Sequence, residues 1–445
     1  MSDKKERILL TQIKQDFTTP VDAISDYINL IIDSSDIYDE EIVDEFENIK
    51  KSAKTLRLNF IEAFKEYAEQ KNKSIKNDEE ASVLRHDLRT PLNGIIAGEF
   101  SESLIPHIKN VKDVLSVWDD LQIYPATSFE ASTAYQDNIP IGTSSDVIET
   151  LNCQDLWDKG RRGENTVIAV CDTGIDKSQF NVIDGWSPNG TSPWGSAGQG
   201  SYGFHGSMVA HAALLAAPKA EILDIGILKY RGSRGSWLSE ALIGFNWLLN
   251  WCENNPSKRV IVNNSWSTYR RIKVDENINS YAQSPNHPFT KRCSYIASLG
   301  IPMIFAAGNC GCPKPDLRCG SDDVGDGKSI WGVNSLESVF TIGAVSLRGS
   351  RLPYSSTGPG FFFRKKPDVC SYSHFKGFLE VDPGTSTSAP VVAGMIALIL
   401  SFNLNLSKDE VFDALRKTAK NNTDGWSPEL GFGIANLKTA YEYLF

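Results

Sequence analysis

The chain has 445 residues, 41% hydrophobic and 22% charged, which suits two or three ordinary globular cores rather than one. A formal net charge of −10 leaves no basic stripe to neutralise phosphates, which argues against a nucleic-acid partner. No apolar run reaches the roughly 18 residues of a spanning helix. The start, MSDKKERILLTQIKQDF, lacks both a sustained apolar core and a small-residue cleavage site. The expectation is a cytoplasmic protein without a signal peptide or membrane contact.

Residues 1–121 have a helical pattern and are predicted to form an all-α, helical-hairpin or four-helix-bundle-like domain. Apolar positions recur at three and four from Ile42 through Phe46, Ile49, Ala53, Leu56, Phe60 and Phe64, one face of a long helix. Two degenerate repeats are visible, at 8–71 and 79–121. Within them QDFTTPVDAISDYINLI (15–31) aligns with HDLRTPLNGIIAGEFSE (86–102), and Gln15 stands where the second copy has His86. The stretch SVLRHDLRTPLNGIIAG (82–98) resembles the phosphoacceptor box of sensor histidine kinases, with His86 at the acceptor position. Kinase dimerisation domains are helical hairpins that pair into a four-helix bundle, so the resemblance implies a single-chain pseudodimer. No ATP-binding boxes accompany it, which leaves a separate ATPase or histidine-kinase-like protein as the expected partner, with or without phosphate transfer to His86.

Residues 122–149, QIYPATSFEASTAYQDNIPIGTSSDVIE, are rich in Ser, Thr and Pro and follow no period. They read as a linker or pro-segment, with an inhibitory or self-cleaved strand as one form of it.

From 150 to 445 the pattern becomes α/β. Strand-like runs fall at 167–170, 221–228, 259–263, 301–306 and 339–345, with a helical segment at 237–253 between two of them. That alternation predicts a mostly parallel sheet with helices on both faces, whose sites gather where strands end. Three fragments at such ends carry chemistry. Asp172 follows an apolar strand in VIAVCDTGID, His205 opens an apolar helix in YGFHGSMVAH, and Ser386 sits before another in PGTSTSAPVVAG. A serine hydroxyl needs a neighbouring base to become a nucleophile, and that base needs an anion to orient it. Each of the three read alone is an ordinary turn or cap residue; together they supply all three roles. A fourth fragment, IFAAGN, ends in Asn309, whose amide can donate to a developing oxyanion.

With these four fragments in place, residues 150–445 resemble the subtilase family of serine proteases, which has the chain order Asp, His, Ser. VNNSWS (262–267), YSSTGPG (354–360), KKPDV (365–369) and GFGIANLKTAYEYL (431–444) support the likeness. It implies a subtilisin-like fold and a serine endopeptidase acting on peptide or protein substrates, intracellular by the expectation above. Asp172, His205 and Ser386 would be catalytic and Asn309 the oxyanion donor, with Ser265, Trp266, Ser267, Ala306 and Gly308 lining the substrate path. The sequence departs from the family where HGSMVAH places Met208 and His211 near the base, and where Ser267 stands at a frequent glycine. A different class of reading makes the chain a signalling adaptor or pseudoprotease that binds a kinase or ATPase.

No cofactor is required by this chemistry. The eight cysteines are expected to be mostly free and buried. Cys310, Cys312 and Cys319 allow zinc, free thiols or one local disulfide, since C-x-C-x₆-C matches no standard metal spacing. The acidic loop 321–329 allows calcium but reads better as a solvated turn.

Overall fold

The computed structural model describes residues 116–126, 139–188, 191–199, 203–229, 236–271, 280–420 and 425–445. The kinase-like repeats, His86 and His107 lie outside them. Trp118–Asp275 and Asn279–Phe445 make one compact unit.

The chain enters through a short strand, β1 (Gln122–Pro125), then passes two short helices, α1 (Ser144–Thr150) and α2 (Cys153–Trp157). Thr143 caps α1: its hydroxyl accepts from the Asp146 N–H, while the Asp146 carboxylate accepts from the Thr143 N–H. The α/β body follows in the order β2 (Thr166–Cys171), β3 (Val182–Trp186), α3 (His205–Leu214), β4 (Glu221–Ile225), β5 (Ser236–Trp237), α4 (Leu238–Asn254), β6 (Arg259–Asn264) and β7 (Trp266–Ser267). Then come α5 (Pro288–Ser298), β8 (Met303–Ala306), β9 (Phe340–Val345), β10 (Val369–Tyr372), α6 (Thr385–Phe402), α7 (Lys408–Lys417) and α8 (Leu437–Leu444).

Seven strands form one sheet in the order β10-β9-β8-β6-β2-β4-β3, every neighbouring pair parallel. The central strand β2, TVIAVC, shows why it is buried on both faces. Ile168 and Val170 join the apolar cluster that holds α3 and α6, while Val167, Ala169 and Cys171 join the cluster that holds α4 and α5. Side chains alternate between faces along a strand, so a strand covered on both sides has to be apolar throughout. The five strand-like runs and the 237–253 helix seen in the sequence all correspond to described elements. Strands β3 and β10 escaped notice. VIDGW is an edge strand carrying Asp and Gly, and VCSY is short and half polar.

Helix α6 is 18 residues long and apolar enough, by length and composition, to cross a membrane, but 94% of that window is buried in this fold. It packs directly on α3. A Cβ at Gly394 would lie 2.0 Å from the carbonyl oxygen of Ala213, so only glycine permits that approach. This crossing matters for function, because His205 opens α3 and Ser386 is the second residue of α6.

The KKPDV fragment serves the fold. Lys366 is fully buried and its ammonium donates to Asp368 Oδ2 and to the Val339 carbonyl, both at 2.6 Å. Asp368 also accepts from Arg416 at 2.7 Å and from the Thr341 N–H at 2.7 Å. Burial holds the lysine below its ordinary pKa, opposed by the neighbouring carboxylate.

Candidate active site

Asp172 comes immediately after β2 and is buried, its N–H bonded to the Ile225 carbonyl at 2.9 Å. Its Oδ1 lies 2.7 Å from His205 Nδ1 and accepts from the Thr173 N–H at 2.7 Å. Both side chains are excluded from water. A buried carboxylate on Nδ1 fixes the imidazole tautomer and leaves Nε2 as the available base. His205 Nε2 has no hydrogen bond in the structure, and Ser386 Oγ donates to the Pro383 carbonyl at 3.3 Å. The structure thus joins Asp172 to His205 by a hydrogen bond, but forms none between His205 and Ser386.

Ser386 is presented by a backbone that needs glycine. Gly384 precedes α6 with φ of +86°, in the region L side chains rarely adopt. Ser386 then lies in the first turn of α6, where backbone N–H groups have no intrahelical partners. Its carbonyl accepts from Ser265 Oγ at 2.9 Å, which ties the end of β6 to this turn.

Asn309 is held by Thr385. The Asn309 Oδ1 accepts from both the N–H and the hydroxyl of Thr385, each at 3.0 Å, so Nδ2 must face the other way. What Nδ2 meets is part of the same chain: it donates to the carbonyl of Ala126 at 2.7 Å. The N–H of Ser386 donates to that carbonyl as well, at 3.2 Å.

Ala126 directly follows strand β1. Strand β1 is sandwiched between β5 and β7 and antiparallel to both, with Ile123 opposite Ser236 and Tyr124 opposite Ser267. The Ala126 N–H continues the ladder to the Ser265 carbonyl at 2.9 Å. Leu121 and Ile123 are buried in the same apolar cluster as Leu238, Leu242 and Trp266. Upstream, Asp120 accepts from the N–H of Ser239 at 3.0 Å and from its hydroxyl at 2.6 Å, at the N-terminus of α4 where a carboxylate is favoured. Asp119 accepts from the Tyr281 N–H at 2.6 Å. Burial pushes the Asp119 pKa up to about 6, against the pull of that hydrogen bond.

A buried peptide carbonyl, between an asparagine amide and the N–H of a serine, beside an Asp–His pair, is a site arranged for acyl chemistry. Comparison with known proteins agrees. The family model described as the subtilase family matches residues 163–433. The chain belongs to the subtilase family of serine peptidases. This subtilase is 25% identical to serine protease AprX of Bacillus subtilis over 320 residues, covering 62% of this chain and 66% of that relative. It is 27% identical to subtilisin E of Bacillus subtilis over 329 residues, covering 69% and 72%. Among solved structures, fervidolysin from Fervidobacterium pennivorans, described as a keratinolytic enzyme related to subtilisin, shares the fold. The TM-score is 0.50 at 19% identity, over 73% of this chain and 51% of that one.

The remaining residues singled out in the sequence divide into two groups. Ser267 and Trp266 pair with Tyr124 and Pro125 of β1 and the Ser265 carbonyl accepts from the Ala126 N–H, while the Trp266 ring is buried against Phe289 and Phe305. The hydrogen bonds of Ala306 and Gly308 run to Asn334, Thr385 and Ser356, so these residues shape the loop that carries Asn309. Met208 is buried against the Thr387 hydroxyl, and His211 lies 4.0 Å from Asp382. His287 is a structural residue, buried and capping α5, and burial lowers its pKa to about 4.

Of the alternatives open at the cysteine cluster, the local disulfide is the one formed. Cys310 and Cys319 are joined in a disulfide, which removes two of the three thiols a metal would need and leaves Cys312 exposed. In the acidic loop, Ser321, Asp322, Asp326 and Lys328 are exposed, as a solvated turn has them, while Asp323 is buried and pairs with Arg271. Among the described residues no group of three or more His, Cys, Asp or Glu is placed to hold a metal.

The sequence allows an inhibitory or self-cleaved strand somewhere in 122–149, but not which residues meet Asn309 and Ser386, nor that Thr385 orients Asn309. A four-residue strand offers too few positions for a period, and nothing within PGTSTSAPVV ties Thr385 to Asn309.

Proposed function

We propose that this subtilase is a serine endopeptidase, and that residues 122–126 occupy its cleft as a substrate would. The observation carrying the proposal is the Ala126 carbonyl, which receives hydrogen bonds from Asn309 Nδ2 and the Ser386 N–H. In the reaction, Ser386 Oγ leaves its contact with Pro383 and attacks the carbonyl carbon as its proton passes to His205 Nε2. Asp172 holds the imidazolium, and the oxyanion stays between Asn309 and the Ser386 N–H. The imidazolium then protonates the leaving amine as the C–N bond breaks. Water hydrolyses the ester with His205 again as base.

Applied to the chain itself, these steps cut the bond between Ala126 and Thr127. Before that cut, and while the new C-terminus stays docked, the strand excludes other substrates. Until the cut the occupant is tethered and competes at an effective concentration of about millimolar; after it, only the docking contacts of the strand restrain the protease. From the sequence we further propose that the cytoplasmic N-terminal segment carrying His86 receives a separate ATPase or histidine-kinase-like partner that relieves the restraint. Phosphate on residue 86, sought by mass spectrometry of protein taken directly from cells, tests the transfer form of that idea, and its absence there contradicts it.

The test of the peptidase assignment is hydrolysis of a denatured protein substrate together with fluorophosphonate labelling. Ser386→Ala should abolish both while circular dichroism is unchanged. Retained hydrolysis in that variant would overturn the assignment.

A further inference from the structure

The carbonyl of Ala126 is not the only backbone group of the docked strand that is gripped. The preceding carbonyl, of Pro125, accepts from the Tyr269 hydroxyl at 3.1 Å and from Arg318 Nη1 at 3.3 Å. The two donors are themselves linked, Arg318 Nη2 donating to the Tyr269 hydroxyl at 2.8 Å. The guanidinium carbon lies 4.0 Å from the centre of the Tyr269 ring and 5.9 Å from that of Tyr124. The Tyr124 and Tyr269 rings meet edge-on, with centroids 6.2 Å apart.

Arg318 is fixed for this task. Its Nε and Nη2 fork onto the two oxygens of Asp316 at 2.8 and 2.9 Å, and Asp316 is fully buried. A bidentate pair of this kind sets the plane of the guanidinium as well as its position. The loop between them starts at Asn309, whose carbonyl accepts from the Asp316 N–H at 2.9 Å. It is closed by the Cys310–Cys319 disulfide. The residue that grips the Pro125 carbonyl and the residue that grips the Ala126 carbonyl therefore stand at opposite ends of one braced loop.

We propose that Tyr269 and Arg318 form a substrate subsite that selects an aromatic side chain two residues before the one whose carbonyl is attacked, and that positions the substrate by the carbonyl in between. This rests on the reading that substrates dock as residues 122–126 do. A ring at that position gains an edge contact with Tyr269 and the cation of Arg318, while alanine gains neither. Contacts of these two kinds together change affinity by about tenfold.

The experiment uses the full-length protein and two chromogenic peptides, Gln-Ile-Tyr-Pro-Ala and Gln-Ile-Ala-Pro-Ala, each with the reporter amide after the final alanine. The resident strand lowers both rates by the same factor, so their ratio reports the subsite. The wild-type protein should cleave the tyrosine peptide with a kcat/KM about tenfold higher, carried by KM. In Arg318→Met the ratio should fall to about threefold, the part kept by the Tyr269 edge contact, and Arg318→Lys, which keeps the cation, should restore part of the loss. Tyr269→Phe, which loses only the hydroxyl, should slow both peptides equally and leave the ratio standing. A wild-type ratio within about twofold overturns the proposal without any variant, and so does an unchanged ratio in an Arg318→Met protein that still labels with fluorophosphonate. Absence of both labelling and hydrolysis in the wild type overturns the peptidase reading, and this proposal with it.

Discussion

Replacing Ile123 by alanine should open the cleft. Ile123 is 2% exposed and anchors β1 in the apolar cluster beneath α4, three residues before the carbonyl held by Asn309. Truncating a buried isoleucine to alanine costs about 2 to 5 kcal/mol. The lower end applies here, because a strand that also has a free undocked state can relax. About 2 kcal/mol of docking energy is a factor of roughly thirty in the fraction of open cleft. A fluorophosphonate needs Ser386 Oγ uncovered, so its labelling rate follows that fraction while the strand exchanges faster than the probe reacts. The full-length variant should therefore label about thirtyfold faster than the wild type, with a thermal midpoint lowered by roughly a few degrees, since the docked strand belongs to the β5-β1-β7 sheet and its docking energy counts toward the fold. Equal labelling rates, with Ser386 confirmed as the labelled residue, would refute the idea that β1 restrains the site.

Three further outcomes follow from named contacts. Asn309→Ala removes one of two donors to the carbonyl and should lower kcat by roughly 10² to 10³, the loss known for such a donor in a subtilisin, with KM little changed. Asp368→Asn strips Lys366 and Arg416 of a shared carboxylate and should destabilise the fold by about 3 to 5 kcal/mol in a denaturant titration; a loss below about 1 kcal/mol would mean that Lys366 is neutral in the fold. Burial raises the pKa of Asp224 to about 6 from 3.8, so the fold binds a proton there that the unfolded chain releases. That contribution to stability is full below pH 3.8 and is lost as pH rises through about 6. Asp224→Asn keeps an acceptor for the Gly195 N–H and should flatten the pH dependence of the melting temperature in that window; superimposable profiles would count against it.

Much of the site was legible because its residues sit where strands end and helices begin, and such junctions announce themselves. An apolar run stopping at Asp172, a glycine-flanked His205 and a Gly-Thr-Ser turn each change the chain's pattern within two or three residues. The sheet was legible wherever a strand is buried on both faces, as TVIAVC is, and illegible where it is an edge or half polar, as VIDGW and VCSY are. That 122–126 meets Asn309 and Ser386 was hidden for a different reason, although an inhibitory strand within 122–149 was open. Its position is set by partners over 100 residues away, Ser239, Ser265, Asn309 and Ser386, and nothing within QIYPA refers to them. Arg318 and Tyr269 are illegible for the same reason, since the group they hold is the Pro125 carbonyl, more than 100 residues away.

The most direct test of the account is the identity of the bond this protein cuts in itself. Purified full-length protein, incubated and analysed by N-terminal sequencing, should yield a fragment beginning at Thr127, and Ser386→Ala should remain a single chain of 445 residues. A wild-type chain that stays intact, a cut elsewhere, or a cut at Thr127 that persists in Ser386→Ala would contradict the placement of the Ala126 carbonyl as the group under attack.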